Sequence, residues 1–198
     1  MTKIILASSS TTRYTLLKRV LTSFDCINPS IDETQLLGEE PESLSLRLSK
    51  EKSLKIAKKQ PNSIVIGSDQ VAICNGKILS KPNTIENAIE QIEWQIGKKT
   101  EFFTGLALTR RSGDEIQFSV TKSYVIYHDD KFITKELIKN YVTIDKPINC
   151  AGGAKFESLG ISLIKEFSSN DPTAILGLPL IDLCNKLSKW NVHPLNRI

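Results

Sequence analysis

At 198 residues and 40% hydrophobic composition, the chain is long enough for one substantial core but short for two independent domains. Lysine and arginine outnumber aspartate and glutamate by 26 to 22. The basic residues come only in pairs such as Lys58-Lys59, Lys98-Lys99 and Arg110-Arg111, which argues against a nucleic-acid-binding stripe, while a mild positive excess suits a small polyanion such as a nucleotide.

In chain order, Lys3–Ala7 reads as a short buried strand. A hydroxyl-rich turn follows, then a helix over Tyr14–Leu21 whose apolar residues recur at helical spacing. Phe24–Asn28 is a second candidate strand, followed by the acidic loop Ile31-Asp32-Glu33-Thr34. Pro41 stands near the start of a long amphipathic helix. Its apolar side is predicted to carry Leu44, Leu48, Leu54 and Ala57, with Lys50, Lys52, Lys55 and Lys58 on a wet or ligand-facing side.

The run Ile64-Val65-Ile66-Gly67-Ser68-Asp69 reads as a buried strand ending at Asp69 that delivers a carboxylate to a site beyond its carboxyl end, with an ordinary polar turn at Gly67-Ser68-Asp69 as the plain alternative. Val71–Cys74, Asn75-Gly76 and Lys77–Leu79 predict a hairpin with a type I′ turn. Ile85, Ala88, Ile89, Ile92 and Ile96 mark a helix stopped by Gly97, with Trp94 expected to pack rather than stack. Phe102–Leu108 and Ile116–Val120 predict antiparallel strands around Arg111–Asp114, and Ser123–Tyr127 should extend that sheet. Thr134 is placed to cap a helix over Lys135–Val142, and Leu180–Leu187 forms the last helix. The order predicts a mixed α/β (α+β) domain over residues 1–198, with a mixed sheet and flanking helices.

Cys26, Cys74, Cys150 and Cys184 lie far apart, with no Cys-x-x-Cys pair and no nearby histidine, so reduced thiols are expected. No apolar stretch is long enough to span a bilayer, which gives a soluble, cytoplasmic expectation with no membrane or nucleic-acid partner. His128 and His193 are isolated, and no chemistry is assigned to them.

Three features carry chemistry. Ser8-Ser9-Ser10-Thr11-Thr12-Arg13 passes from a strand to a helix amino terminus, where free N–H groups attract phosphate, although plain N-capping uses the same residues. Glu33 and Asp69 are two carboxylates after separate elements, a pattern suited to holding Mg2+ or Mn2+ against phosphate oxygens. Lys52 and Lys81 can neutralise the remaining charge. Together they describe a nucleoside triphosphate site.

Those residues resemble the Maf-type nucleoside triphosphate pyrophosphatases. Leu6-Ala7-Ser8-Ser9-Ser10-Thr11-Thr12-Arg13-Tyr14-Thr15-Leu16-Leu17 is similar to the family's opening Leu-Ala-Ser-x-Ser-Pro-x-Arg-x-x-Leu-Leu. The match continues in order through Ile31-Asp32-Glu33, Arg47-Leu48 with Lys52, Gly67-Ser68-Asp69-Gln70, Lys81-Pro82, Thr104–Leu108, Tyr141-Val142, Cys150-Ala151-Gly152 and Gly177–Leu180. Gly-Ser-Asp-Gln, with Lys155 and Glu157, resembles the YceF-type subfamily, whose substrate is 7-methyl-GTP.

The resemblance implies a two-lobed fold related to inosine triphosphate pyrophosphatases, often dimeric, and cleavage between the α and β phosphates with a divalent cation. It implies Asp69 as proton acceptor, Glu33 and Asp69 at the metal, and Ser8, Arg13, Lys52 and Lys81 on the phosphates. Thr12, Gln70 and Ala154 stand at the substrate-discriminating positions, and Glu157 is a candidate base or ribose contact. Thr11 replaces the family's proline, Thr12 the subfamily's tryptophan, Ala154 an aromatic and Ser158 a glycine. The loss of two side chains that read the base leaves a pyrimidine preference (dTTP or UTP) as an alternative to 7-methyl-GTP. A non-catalytic nucleotide-binding regulator of cell division is the alternative from another class.

Overall fold

The computed structural model describes residues 2–196. Its elements in chain order are β1 (Lys3–Leu6), α1 (Thr11–Leu17), β2 (Asp25–Cys26), α2 (Pro41–Ala57), β3 (Ser63–Cys74), β4 (Lys77–Leu79), α3 (Ile85–Gln95), β5 (Lys99–Arg110), β6 (Glu115–Tyr127), α4 (Lys135–Asp145), β7 (Ile164–Ser169) and α5 (Leu180–Lys189). Hydrogen-bonded neighbours follow the order β2-β1-β3-β5-β6-β7, with β4 pairing to β3. β1 is parallel to β2 and β3, whereas β3–β4 and β6–β7 are antiparallel, so the sheet is mixed as expected.

The contacts divide the chain into two compact units. The first holds residues 2–70, 104–121 and 171–196, the second residues 71–103 and 122–170.

In the first unit the two-residue period of the strands sorts the core. Ile4, Leu6, Ile64, Ile66, Leu106 and Leu108 pack with Leu16 and Leu17 of α1 and with Leu180, Leu183 and Leu187 of α5. The opposite face presents Ile5, Ala7 and Val65 to Ile56 and Ala57 of α2. Farther along, α2 approaches at backbone distance. A Cβ on Gly67 would lie 2.3 Å from the Ser49 carbonyl oxygen, and one on Gly105 would lie 2.4 Å from that of Ser45. The helix meets the sheet there with the buried serines 45, 49 and 53, whose hydroxyls are satisfied by Glu42 O, Ser45 O and Lys50 O, with Thr109 also bonded to Ser53.

This contact corrects two expectations. The strand does not end at Asp69, and Gly67-Ser68-Asp69 is not a turn, because β3 runs unbroken to Cys74. Gly67 is there to let α2 close on the strand. Nor are the buried residues of α2 only apolar. Lys52 is buried and Leu54 half-buried, because the helix face is chosen by close approach rather than by hydrophobic spacing.

In the second unit Asn75 and Gly76 adopt positive φ (49° and 76°) at the predicted hairpin. Thr84 and Thr134 cap α3 and α4 by accepting from Asn87 N and Leu137 N. Gly97, at φ 71°, follows α3 as expected. Trp94 differs from expectation. Ala88, Ile92 and Gln95 fill the buried stripe, so Trp94 is exposed beneath the ammonium groups of Lys98, 3.8 Å from its ring centroid, and Lys77, at 5.5 Å. Segments 116–120 and 123–127 form one strand, β6, and β7 was not foreseen. All four cysteines are free thiols.

Candidate active site

Strand alternation in β3 aims successive side chains at different tasks. Asp69 shares the α2 face with Gly67. Because the helix lies so close there, Lys52 reaches it directly: Nζ is 2.5 Å from Asp69 Oδ1 and 2.7 Å from Glu33 Oε1. Asp69 and Lys52 are both buried, while Glu33 is half exposed on its loop. Two carboxylates from different segments therefore converge on one cation. Asp69 Oδ1 accepts from the Lys52 ammonium.

Ser68 and Gln70 face the other way. Ser68 Oγ donates to the carbonyls of Gly105 (2.7 Å) and Gly177 (2.9 Å). Gln70 Nε2 donates to Thr104 Oγ1 and to the carbonyls of Ala174 and Ile175, at 2.9 to 3.0 Å. The turn before α5 is thus tied to the strand.

That turn also holds Arg13. Its Nε donates to the Gly177 carbonyl at 2.7 Å, and Gly177 has φ 96°, with a Cβ there only 3.4 Å from Nε. Burial pushes the Arg13 pKa down, whereas the carboxylates of Asp69 and then Glu33 pull it up, so these three charges share one field. Ser8 is buried and its Oγ accepts from Ser10 N, while Ser10 caps α1 by accepting from Arg13 N. Local capping therefore does occur in the hydroxyl-rich turn, and it places Arg13. Thr12 is half-buried beside it.

In the second unit, Lys81 is exposed in the loop after β4, and Ala154 is buried behind the turn Ala151–Gly153. Gln95 Nε2 holds that turn through the Gly152 carbonyl at 2.6 Å. Lys155 N donates to Tyr141 Oη and its Nζ to the Asp145 carbonyl. Burial pushes the Cys150 thiol up. Glu157 and Asp145 push the same way, while Lys155 and Lys81 oppose them.

A family model described as Maf-like protein matches residues 3–190. The chain belongs to the Maf family. It is 39% identical over 196 residues to a 7-methyl-GTP pyrophosphatase of Idiomarina loihiensis, with 98% of both chains covered. Among solved structures it is similar to a HAM1 protein from Coxiella burnetii, with TM-score 0.41 and 14% identity over 64% of this chain and 73% of that one.

Of the Maf residues singled out in the sequence, Ser8, Thr12, Arg13, Glu33, Lys52, Asp69 and Gln70 lie in the first unit, and Lys81, Ala154 and Glu157 in the second. Among the described residues no group of three or more His, Cys, Asp or Glu side chains is arranged to enclose a metal. The pair Glu33 and Asp69, already meeting one cation, fits the kind of Mg2+ site that takes one or two carboxylates and completes its shell with phosphate oxygens and water.

One part of this surface was not anticipated. Arg47 grips Glu39 through Nε (2.7 Å) and Nη2 (2.8 Å), beside the acidic loop. The hydrogen bond from Arg47 holds Glu39 below its ordinary pKa of 4.5. A carboxylate whose value falls on folding adds stability above the unfolded value and loses that contribution as pH drops through the folded one. Wild type should therefore melt above Glu39→Gln at neutral pH, and the gap should close on acidification below pH 4.5. Thermal melts of both proteins from pH 7 to pH 3 check this, and a gap that widened in acid would contradict it.

Proposed function

We propose that this chain hydrolyses 7-methyl-GTP, releasing diphosphate and the nucleoside monophosphate. The observation that carries the reading is the convergence of Glu33 and Asp69 on Lys52 within the field of Arg13. The identity with a 7-methyl-GTP pyrophosphatase over 98% of both chains supports the substrate class.

In this reading Asp69 takes a proton from water as the water oxygen bonds to the α-phosphorus, and the bond to the bridging oxygen of the leaving diphosphate breaks. Arg13 and Lys52 stabilise the charge that moves onto that diphosphate, and Ser8 orients the phosphates. Glu33 and Asp69 hold Mg2+ or Mn2+, which when bound neutralises phosphate oxygens. Gln70 has its amide nitrogen committed to the turn and offers Oε1 as acceptor for a base N–H, with Thr12 of the same unit shaping the recognition. Residues 1–198 then serve as a single Maf domain. No helix among the described residues is long and apolar enough to cross a membrane, and a nucleotide substrate suits a cytoplasmic location.

A panel of 7-methyl-GTP, GTP, UTP and dTTP, assayed with Mg2+ and Mn2+ and with phosphate and diphosphate distinguished, tests the proposal. The expected result is the highest kcat/KM with 7-methyl-GTP and diphosphate as product. A preference for UTP or dTTP would favour the pyrimidine reading suggested by Thr12 and Ala154. No diphosphate release from any of the four would overturn the hydrolase reading.

A further inference from the structure

The loop that carries Glu33 has every residue from 32 to 38 exposed. Its leucines are no anchor, since Leu36 and Leu37 are 58% and 107% exposed. What holds the loop is polar. Asp32 Oδ1 accepts from both Thr34 N (2.9 Å) and Thr34 Oγ1 (2.6 Å), a tight Asx turn with Glu33 at its middle. Gln35 Nε2 donates to the Glu39 carbonyl, and Leu36 N to Glu39 Oε2.

This locally built loop is fastened to α2 by cations of that helix. Lys55 Nζ donates to the Ser30 carbonyl at 2.5 Å. Arg47 does far more, using every nitrogen of its guanidinium. Besides its two bonds to Glu39, Nη2 donates to the Thr34 carbonyl at 3.0 Å and Nη1 to Glu51 at 3.2 Å. An exposed ion pair contributes little to stability on its own. Here, however, the Glu39 side chain is only 9% exposed and the pairing is bidentate, so the geometry is fixed as well as attractive. The Thr34 carbonyl that Arg47 binds is one residue from Glu33, and Glu33 in turn meets Lys52 of the same helix.

We propose that Arg47 is a positioning residue for Glu33: by tying Thr34 and Glu39 to α2, it makes the Glu33 carboxylate a fixed neighbour of Lys52 and Asp69. Arg47 touches no reacting atom in this arrangement. The inference rests on the proposed role of Glu33 at the metal and phosphates. A lysine cannot replace the arginine, because one ammonium cannot grip a carboxylate in two places and a carbonyl besides.

The test compares wild type, Arg47→Lys, Glu33→Gln and the double variant, with Glu39→Gln as a second way to open the clasp. Three quantities are read: kcat and KM for 7-methyl-GTP, Mn2+ affinity of the nucleotide-free protein by electron paramagnetic resonance, and the melting temperature. Arg47→Lys and Glu39→Gln are expected to weaken Mn2+ binding and lower kcat by about 10-fold or more, the size of loss typical when a group supporting a metal ligand is removed. In the Glu33→Gln background Arg47→Lys should add about twofold or less, because its effect runs through a carboxylate already gone. Independent, multiplicative losses, or unchanged Mn2+ affinity in both Arg47→Lys and Glu39→Gln, would overturn the positioning role while leaving the hydrolase reading intact. Full activity of Glu33→Gln would overturn both the positioning role and the role given to Glu33.

Discussion

Asp69→Asn is expected to reduce kcat for triphosphate hydrolysis by about 1,000-fold or more, with a smaller change in KM. Removal of a general base costs about 100- to 10,000-fold. This residue would also lose its share of a bound cation, which puts the expectation in the upper part of that range. The substitution preserves shape and leaves an amide oxygen as acceptor for Lys52. Removing one partner of a buried ion pair costs about 3–5 kcal/mol when the other is left alone. Lys52 keeps Glu33 at 2.7 Å, so the loss of stability should fall below that. The discriminating measurement pairs steady-state rates across the triphosphate panel with a thermal melt. A folded Asp69→Asn protein within tenfold of wild type on every substrate would remove Asp69 from the role of base.

That a buried strand carries Asp69 was legible in the sequence, and where that strand ends was not. A β-branched run closing on Gly-Ser-Asp is a good sign that a sheet delivers a carboxylate to a ligand. But a glycine in such a run has two meanings, a turn or a close approach of another backbone, and only the position of α2 decides between them. Gly105, in the neighbouring β5, carried the same signal: two strand glycines against a helix with serines at 45, 49 and 53. Read together, these would have placed the buried side of α2 correctly and brought Lys52 inward.

The clasp at Arg47 had no such signature. Its partners lie 8 and 13 residues away in a loop without periodicity, so neither helical nor strand spacing marks them. β7 escaped for a related reason. Ile164–Ser169 is mostly exposed, so no alternation of apolar residues announces it, although it pairs with Ser123–Tyr127 of β6. Helix ends were easier to read, because a cap is a local hydrogen bond between residues three apart, as at Thr84 and Thr134.

Gly67→Ala is expected to lower stability by about 3 kcal/mol or more, at or above the upper end of the usual cost of overpacking. The added Cβ would sit 2.3 Å from Ser49 O and 2.8 Å from Ser53 N. Both offending atoms are backbone, so no rotamer change relieves the overlap, and α2 must move as a body. For a chain near 200 residues this corresponds to a fall in Tm of about 6–12 °C. Truncating Ser49 should not rescue the variant, because the carbonyl oxygen stays in place. Gly76→Ala makes the contrast: Gly76 has φ 76° but no atom within 4 Å of a new Cβ, so only left-handed strain of about 1–2 kcal/mol is expected. The two substitutions also separate packing from chemistry. Displacing α2 draws Lys52 away from Asp69, so Gly67→Ala should lose activity even below its melting temperature, whereas Gly76→Ala should keep it. Equal destabilisation by the two substitutions, or restoration of Gly67→Ala by Ser49→Ala, would show that α2 does not rest on the β3 backbone as the 2.3 Å approach requires.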